Sequence, residues 1–323
     1  MGNLLLVFSL IAVLSVPAFA QASLGEGYPT KPVMIIVANV SGGATDVETR
    51  MYAQKLSEAL GKPFVVEYKP GAGGSIGAAF VAKATPDGYT LLVASTSFPV
   101  VPAFKEDLPY DVVKDFAPLS LMSKRPTVLI VHPSYPAKNL KEYVAYTKTN
   151  PGKTSFGTSG NGGVQHLAGA WLHSTIGTEV TFVHYKGANA VIPDLIAGRV
   201  HAFPANFITA MPLIRSGKVR ALATLSLERS SLLPELPTAS EEGVSGFELP
   251  SWVGLVTTGG VPSVVVSRLS GELTKIAKAP DILKKMGEDT VMVGSSPTQF
   301  GDLIRTEVTR WRHLVKTLGI TQD

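Results

Sequence analysis

The sequence predicts an α/β protein with mostly parallel sheets, folded as two lobes around a cleft. Three observations carry that expectation. Short β-type runs alternate with amphipathic helical runs along most of the chain, the order that parallel sheets with crossover helices require. Proline-rich, irregular stretches at Phe98–Pro118, Arg125-Pro126 and Leu233–Pro250 mark places where the chain could pass between two lobes. Two glycine-rich turns each lie between a strand and a helix, and ligands of open α/β sheets sit outside the carboxyl ends of strands.

Taken in order, Val33–Val37, Phe64–Tyr68, Thr90–Ala94, Val128–Val131, Val180–His184 and Arg220–Thr224 read as strands from their short β-branched and aromatic runs. Thr154–Gly157 is a further short β-type run. Val47–Leu60, Leu140–Thr147, Gln165–Thr175, Val191–Ile196 and Met211–Ser216 read as helices, several stopped by Gly61, Gly177, Gly198 or Gly217 just past the last turn. The tail is largely helical, over Ser263–Lys278, Pro280–Met286 and Pro297–Leu318. A crossing near residue 124 and a return near 248 divide the chain into a discontinuous first lobe, 21–123 with 249–323, and a second lobe, 124–248, joined by a hinge.

The first turn is Ser41-Gly42-Gly43-Ala44-Thr45-Asp46, and the second is Thr158-Ser159-Gly160-Asn161-Gly162-Gly163. Glycine lets backbone approach a ligand closely, and the free amides and positive dipole end of the following helix favour negative charge. Neither turn carries the Lys-Ser/Thr pair of a P-loop or the Gly-x-Gly-x-x-Gly spacing of a dinucleotide site, so a small organic anion fits better than a nucleotide. Asp46 can either cap the first helix or meet a ligand. Lys186 before Gly187 either adds charge at the cleft or is a solvated surface lysine. His166 is either an anion donor or a structural hydrogen-bonder. His166 and His173, seven residues apart, share a helix face but lack a third ligand at a useful spacing, which argues against a metal site. Ser159 beside His166 superficially suggests a serine hydrolase, but a nucleophile elbow needs Gly-x-Ser-x-Gly and position 161 is Asn.

Of 323 residues, 29 are basic and 25 acidic, without long runs, which excludes the basic stripe of a nucleic-acid binder. Leu4–Val16 is an apolar run too short to span a bilayer comfortably, and it ends at Ala18-Phe19-Ala20 before Gln21. This is the pattern of a cleaved signal peptide, residues 1–20, although no Lys or Arg precedes the apolar run. No later apolar run reaches the roughly 18 residues of a membrane span. The chain contains no Cys, so a lipid-modified Cys anchor, disulfides and Cys-based zinc sites are all excluded.

Several motifs together carry a family likeness. They are Tyr28-Pro29-Thr30-Lys31-Pro32, Lys69-Pro70-Gly71-Ala72-Gly73-Gly74-Ser75-Ile76-Gly77, Pro86-Asp87-Gly88-Tyr89-Thr90, and Asp111 with Lys114-Asp115-Phe116. Asn150-Pro151-Gly152-Lys153, Ser159-Gly160-Asn161-Gly162 with His166-Leu167, and Tyr185-Lys186-Gly187 follow. Ser216-Gly217-Lys218-Val219-Arg220-Ala221-Leu222-Ala223, Leu236-Pro237-Thr238, Glu241, Gly243 and Trp252-Val253-Gly254 complete the set. The chain resembles the Bug or TctC family, the periplasmic substrate-binding proteins of tripartite tricarboxylate transporters. The resemblance implies a two-lobed, type II periplasmic-binding-protein-like fold with a central cleft and hinge. It also implies a small carboxylate ligand (a di- or tricarboxylic acid, an acidic amino acid or an aromatic acid), with no catalysis and no cofactor. The expected partners are membrane-embedded transporter subunits, met transiently by a monomer in the periplasm, and a ligand-dependent sensor is the other role the sequence leaves open. By position the resemblance carries ligand contact onto Asn39, Val40, Ser41, Gly42, Gly43 and Asp46 in the first turn, and onto Ser95, Thr96 and Ser97 after the third strand. In the second lobe it carries contact onto Ser159, Gly160, Asn161, Gly162 and His166, then Lys186, Gly187 and Asn206. One departure is that Asn39-Val40-Ser41 stands where the family usually has an apolar aromatic and a proline pair.

Overall fold

The computed structural model describes residues 27–38, 44–104, 107–249, 251–287 and 290–320. The expected leader and the expected contacts at 39–43 lie outside these residues. The first lobe opens with β1 (Val33–Val37), α1 (Ala44–Leu60), β2 (Phe64–Tyr68), α2 (Ser75–Ala82), β3 (Thr90–Ser95) and β4 (Phe116–Arg125). The second contains β5 (Thr127–Val131), α3 (Leu140–Thr149), β6 (Ser155–Thr158), α4 (Val164–Ile176) and β7 (Thr181–His184). It continues with α5 (Ile192–Ile196), β8 (Ala202–Asn206), α6 (Phe207–Arg215) and β9 (Arg220–Thr224). The chain then returns to the first lobe through β10 (Ser251–Thr258), α7 (Ser263–Ala277), α8 (Pro280–Met286), β11 (Val291–Met292) and α9 (Pro297–Leu318).

Each lobe is a sheet covered on both faces, and the side-chain period of two sorts residues between the covers. In the first lobe Ile35, Leu91 and Val253 pack under α1 and α7, against Leu56 and Leu269. Their neighbours Ile36, Leu92 and Trp252 point the other way, under α2 and α9, against Val81 and Phe300. The second lobe repeats the device: Leu129 and Val131 face Tyr143 and Leu172 of α3 and α4, while Val128 and Ile130 face Leu195 and Phe207 of α5 and α6. The long α9 has firm boundaries. Ser296 and Gln299 form a reciprocal capping box before it, and Gly319 ends it with φ 59°.

The strand orders are β11-β4-β10-β3-β1-β2 and β7-β6-β8-β5-β9. The expectation of mostly parallel sheets is corrected here. β1 pairs parallel with β2 and β3, and β6 with β7 and β8, but β10 and β11 run antiparallel to their neighbours and β5 runs antiparallel to both β8 and β9. A strand that arrives from the other lobe has no crossover helix to force a parallel direction. β5 follows β4 after Pro126 alone, and β10 is the first strand after the return. The two passages run side by side: Ser251 pairs with Arg125, and the Thr127 hydroxyl donates to the Leu249 carbonyl at 2.7 Å.

The lobes also touch through helices. Trp311 of α9 is fully buried beside Leu167 of α4 and Val100, its ring 6.5 Å from that of Trp171. At the outgoing passage a buried ion pair joins α1 to the end of β4: Arg125 donates to Glu48 at 2.7 Å, and Ser123 donates to the same oxygen at 3.0 Å. Both members of the ion pair are buried, Glu48 at 0% and Arg125 at 4% exposure. Burial pushes the Glu48 carboxyl up, against the opposing pull of Arg125 and Ser123. Breaking such a pair strands a charge in the interior. Arg125→Ala is therefore expected to cost about 3–5 kcal/mol, and Glu48→Met with Arg125→Met to recover most of it. Urea unfolding of the three proteins checks this, and a single-variant loss below about 1 kcal/mol would contradict the assignment.

Candidate functional site

The carboxyl ends of β1, β2 and β3 from the first lobe, and of β6, β7 and β8 from the second, open onto one cavity of about 690 Å³ between the lobes. Chain direction explains this, because strands followed by helices place their connecting turns, and the helix starts, at a single edge of each sheet.

The helix starts at this cavity leave their amides without side-chain caps. Gly74 precedes α2, Gly163 precedes α4 and Asn206 precedes α6, none of them capping through a side chain. Away from the cavity, α3 is capped by Asn139 and α9 by Ser296. Uncapped amides carrying a positive dipole end are suited to a negatively charged ligand.

The 159–163 turn is held from behind. Gly160 and Gly162 take φ of 146° and 68°, conformations that favour glycine. The Gly162 amide donates to His166 Nδ1 at 3.1 Å, so this histidine carries its proton on Nε2. The Gly160 amide donates to the Thr158 hydroxyl at 3.4 Å, and that hydroxyl meets His184 Nδ1 at 2.7 Å. The rings of His166 and His184 lie 4.6 Å apart. Gly187 donates to the Ser159 carbonyl at 3.1 Å, and the Ser159 hydroxyl donates to Gln165. Ser159 therefore has Gln165, and not His166, as its hydroxyl's acceptor.

Most of the expected contacts within the described residues share the cavity wall. Ser95, Thr96 and Ser97 reach it from β3, and Ser159, Gly160, Asn161 and Gly162 from β6. Gly187 and Asn206 join them from the ends of β7 and β8. Asp46 is also on the wall, but it is engaged as an acceptor, from Arg50 Nε at 3.0 Å and from the Tyr68 hydroxyl. Two expected contacts are placed differently. His166 lies behind the turn, and Lys186 is exposed and off the wall.

Three wall segments were not anticipated as contacts. The turn Pro70–Gly74 is a third glycine-rich helix start, a signal present in the sequence but read there only as a family mark. Val100, Val101 and Phe104, and Leu249 with Trp252, form apolar wall that no local pattern announces, because it is assembled from the segment after β3 and the return passage with β10.

Burial, and secondarily the adjacent His184, pushes His166 down from 6.5 to about 4, and burial pushes His173 down to about 3. Both are neutral in the fold while the unfolded chain takes up protons from about pH 6.5 downward. The unfolded state thus binds more protons across this range, so stability falls as pH drops from about 6.5 to about 4. Replacing His166 with Leu should remove the low-pH loss that belongs to this group and leave the Gly162 amide unsatisfied at neutral pH, at a cost of about 1–3 kcal/mol. Thermal unfolding at pH 7 and pH 4.5 measures both effects, and a wild-type protein equally stable at the two values would contradict them.

Residues 49–320 match the family model described as tripartite tricarboxylate transporter family receptor. The chain is similar to the periplasmic binding protein BugD, at 32% identity and TM-score 0.79 over 92% of this chain and 100% of that one. It is similar to R. palustris Rpa4515 with adipate, at 31% identity and TM-score 0.81 over 91% and 99%. It is also similar to MatC of Rhodopseudomonas palustris with bound malate, at 28% identity and TM-score 0.77 over 89% and 100%. The two-lobed architecture, the glycine turns Pro70–Gly74 and Ser159–Gly163 on the cavity wall and these matches agree, and the chain belongs to the TctC, or Bug, family of periplasmic binding proteins.

Proposed function

We propose that this protein captures a small organic carboxylate between its lobes and delivers it to membrane-embedded transporter subunits. The observation that carries the proposal is the convergence of uncapped helix starts from both lobes on one cavity. Relatives with adipate and malate support the ligand class. The signal-like segment Leu4–Val16 and the family membership support a periplasmic address.

The two strand passages, at 125–127 and 249–251, act as the hinge in this proposal. A ligand that touches both lobes makes all its contacts only when they close, so binding shifts the population toward the closed form. Exclusion of water then strengthens each charge-assisted amide bond, at about 1.5–3 kcal/mol apiece.

A panel of mono-, di- and tricarboxylates, aromatic acids and acidic amino acids should contain at least one compound that stabilises the protein, by about 2.7 kcal/mol at a hundred times its dissociation constant. Its methyl ester should give no thermal shift, and an ester as effective as the acid refutes the anion-holding role. Gly162→Val should weaken that ligand by about tenfold or more through backbone strain, whereas Lys186→Ala should change affinity less than about threefold because the side chain is solvated. Titration calorimetry on both variants decides between backbone and side-chain recognition.

A further inference from the structure

From the lining of the cavity we infer that the ligand is a carboxylate of low charge, one or two carboxyl groups, carried on an apolar body, and that triply charged or polyhydroxylated acids are rejected. The inference rests on the carboxylate-capture reading and narrows it.

Charge is the first ground. No lysine or arginine is among the described residues that line the cavity, and the turn Asn39–Gly43 contains neither. The acid on the wall, Asp46, is engaged with Arg50 and Tyr68. Positive potential at the wall therefore comes from the uncapped helix starts of α2, α4 and α6, each equivalent to roughly half a unit charge. Three such ends balance about one to two negative charges. A third carboxylate would be desolvated without a counter-charge, which is costly in a closed cleft.

The second ground is how most of the wall's hydroxyl side chains are already used, the amide side chains of Asn161, Gln165 and Asn206 standing elsewhere in the lining of the same cavity. The Thr127 hydroxyl donates to Leu249, and the Ser159 hydroxyl to Gln165. Ser95 and Ser97 bond each other at 3.1 Å, and the Thr96 hydroxyl accepts from the Trp252 amide at 3.0 Å. With these groups engaged, the stretch formed by Val100, Val101, Phe104 and Leu249 presents hydrocarbon to the middle of a ligand. Hydroxyl groups placed there would give up water for few new partners.

Matched probes separate the two grounds. Adipate and benzoate serve as apolar-bodied acids. Butane-1,2,4-tricarboxylate is the adipate chain with one more carboxylate, and galactarate is the same chain with a hydroxyl on each inner carbon. Calorimetry on the full mature chain should find at least one apolar-bodied acid bound, and both polar analogues at least about tenfold weaker than it. Equal or tighter binding of the tricarboxylate overturns the charge argument, and equal or tighter binding of galactarate overturns the apolar-wall argument. If only hydroxylated or triply charged acids of the wider panel bind, this inference falls and carboxylate capture stands. If no carboxylate binds at all, the underlying reading falls as well. The near-isosteric Val101→Thr should narrow the preference for the apolar acid over galactarate while leaving the fold intact by circular dichroism. An unchanged preference would mean that this wall does not touch the ligand's middle.

Discussion

A turn that ends a strand and begins a helix leaves several amides unpaired, and in this protein the rest of the structure is arranged around that deficit. Away from the cleft, the side chains of Asn139 and Ser296 cover the amides of α3 and α9, while α7 and α8 start without such a cap. At the cleft the covering groups are glycines and Asn206, none of which caps through its side chain. The amides stay available, and the fold bears the cost of holding them in place. Both sheets are buried on two faces so that their strand ends remain fixed.

Holding the second-lobe turn falls in part to His166, a group that must remain uncharged. His166 accepts from Gly162 and His184 meets Thr158, which accepts from Gly160. A protonated His166 would present a donor where an acceptor is needed, and a positive charge in a site walled by Phe182. The imidazole thus shapes the turn through its neutral form. In the first lobe the comparable role belongs to Asp46, whose carboxylate ties α1 to β2 through Arg50 and Tyr68.

Local signals in the sequence were enough for elements that are complete in themselves. β1, β2, β9, α8 and α9 have the ends their runs imply, because apolar period, capping residues and glycine stops are all local. β8 is not read that way, since Pro204 sits inside it and proline argues against a central strand. It is tolerated because β6 pairs with β8 only at Phe156 and Ala202, leaving the proline's side of the ladder open. β10 is obscured by Gly254, where a Cβ would lie 2.4 Å from Phe300 Cζ, and by register shifts against β4 on either side of Gly254-Leu255. The glycine turns of the site were legible for the same local reason as the helices. The apolar wall was not, since Val101 and Leu249 come to the same cavity only once the chain has crossed twice between lobes.

The place where α9 lies against α4 constrains how the molecule can move. The two strand passages are adjacent, bonded through Thr127 and Leu249 and paired at Arg125 and Ser251, so they act as a single point of attachment. Trp311, packed beside Leu167 and Val100, is a second point. A body fastened at two points keeps one free rotation, about the line through them. Sliding and twisting of one lobe over the other would tear the tryptophan contact, whereas a swing about that line preserves it, so under the proposed closure the jaws should meet in the same register each time.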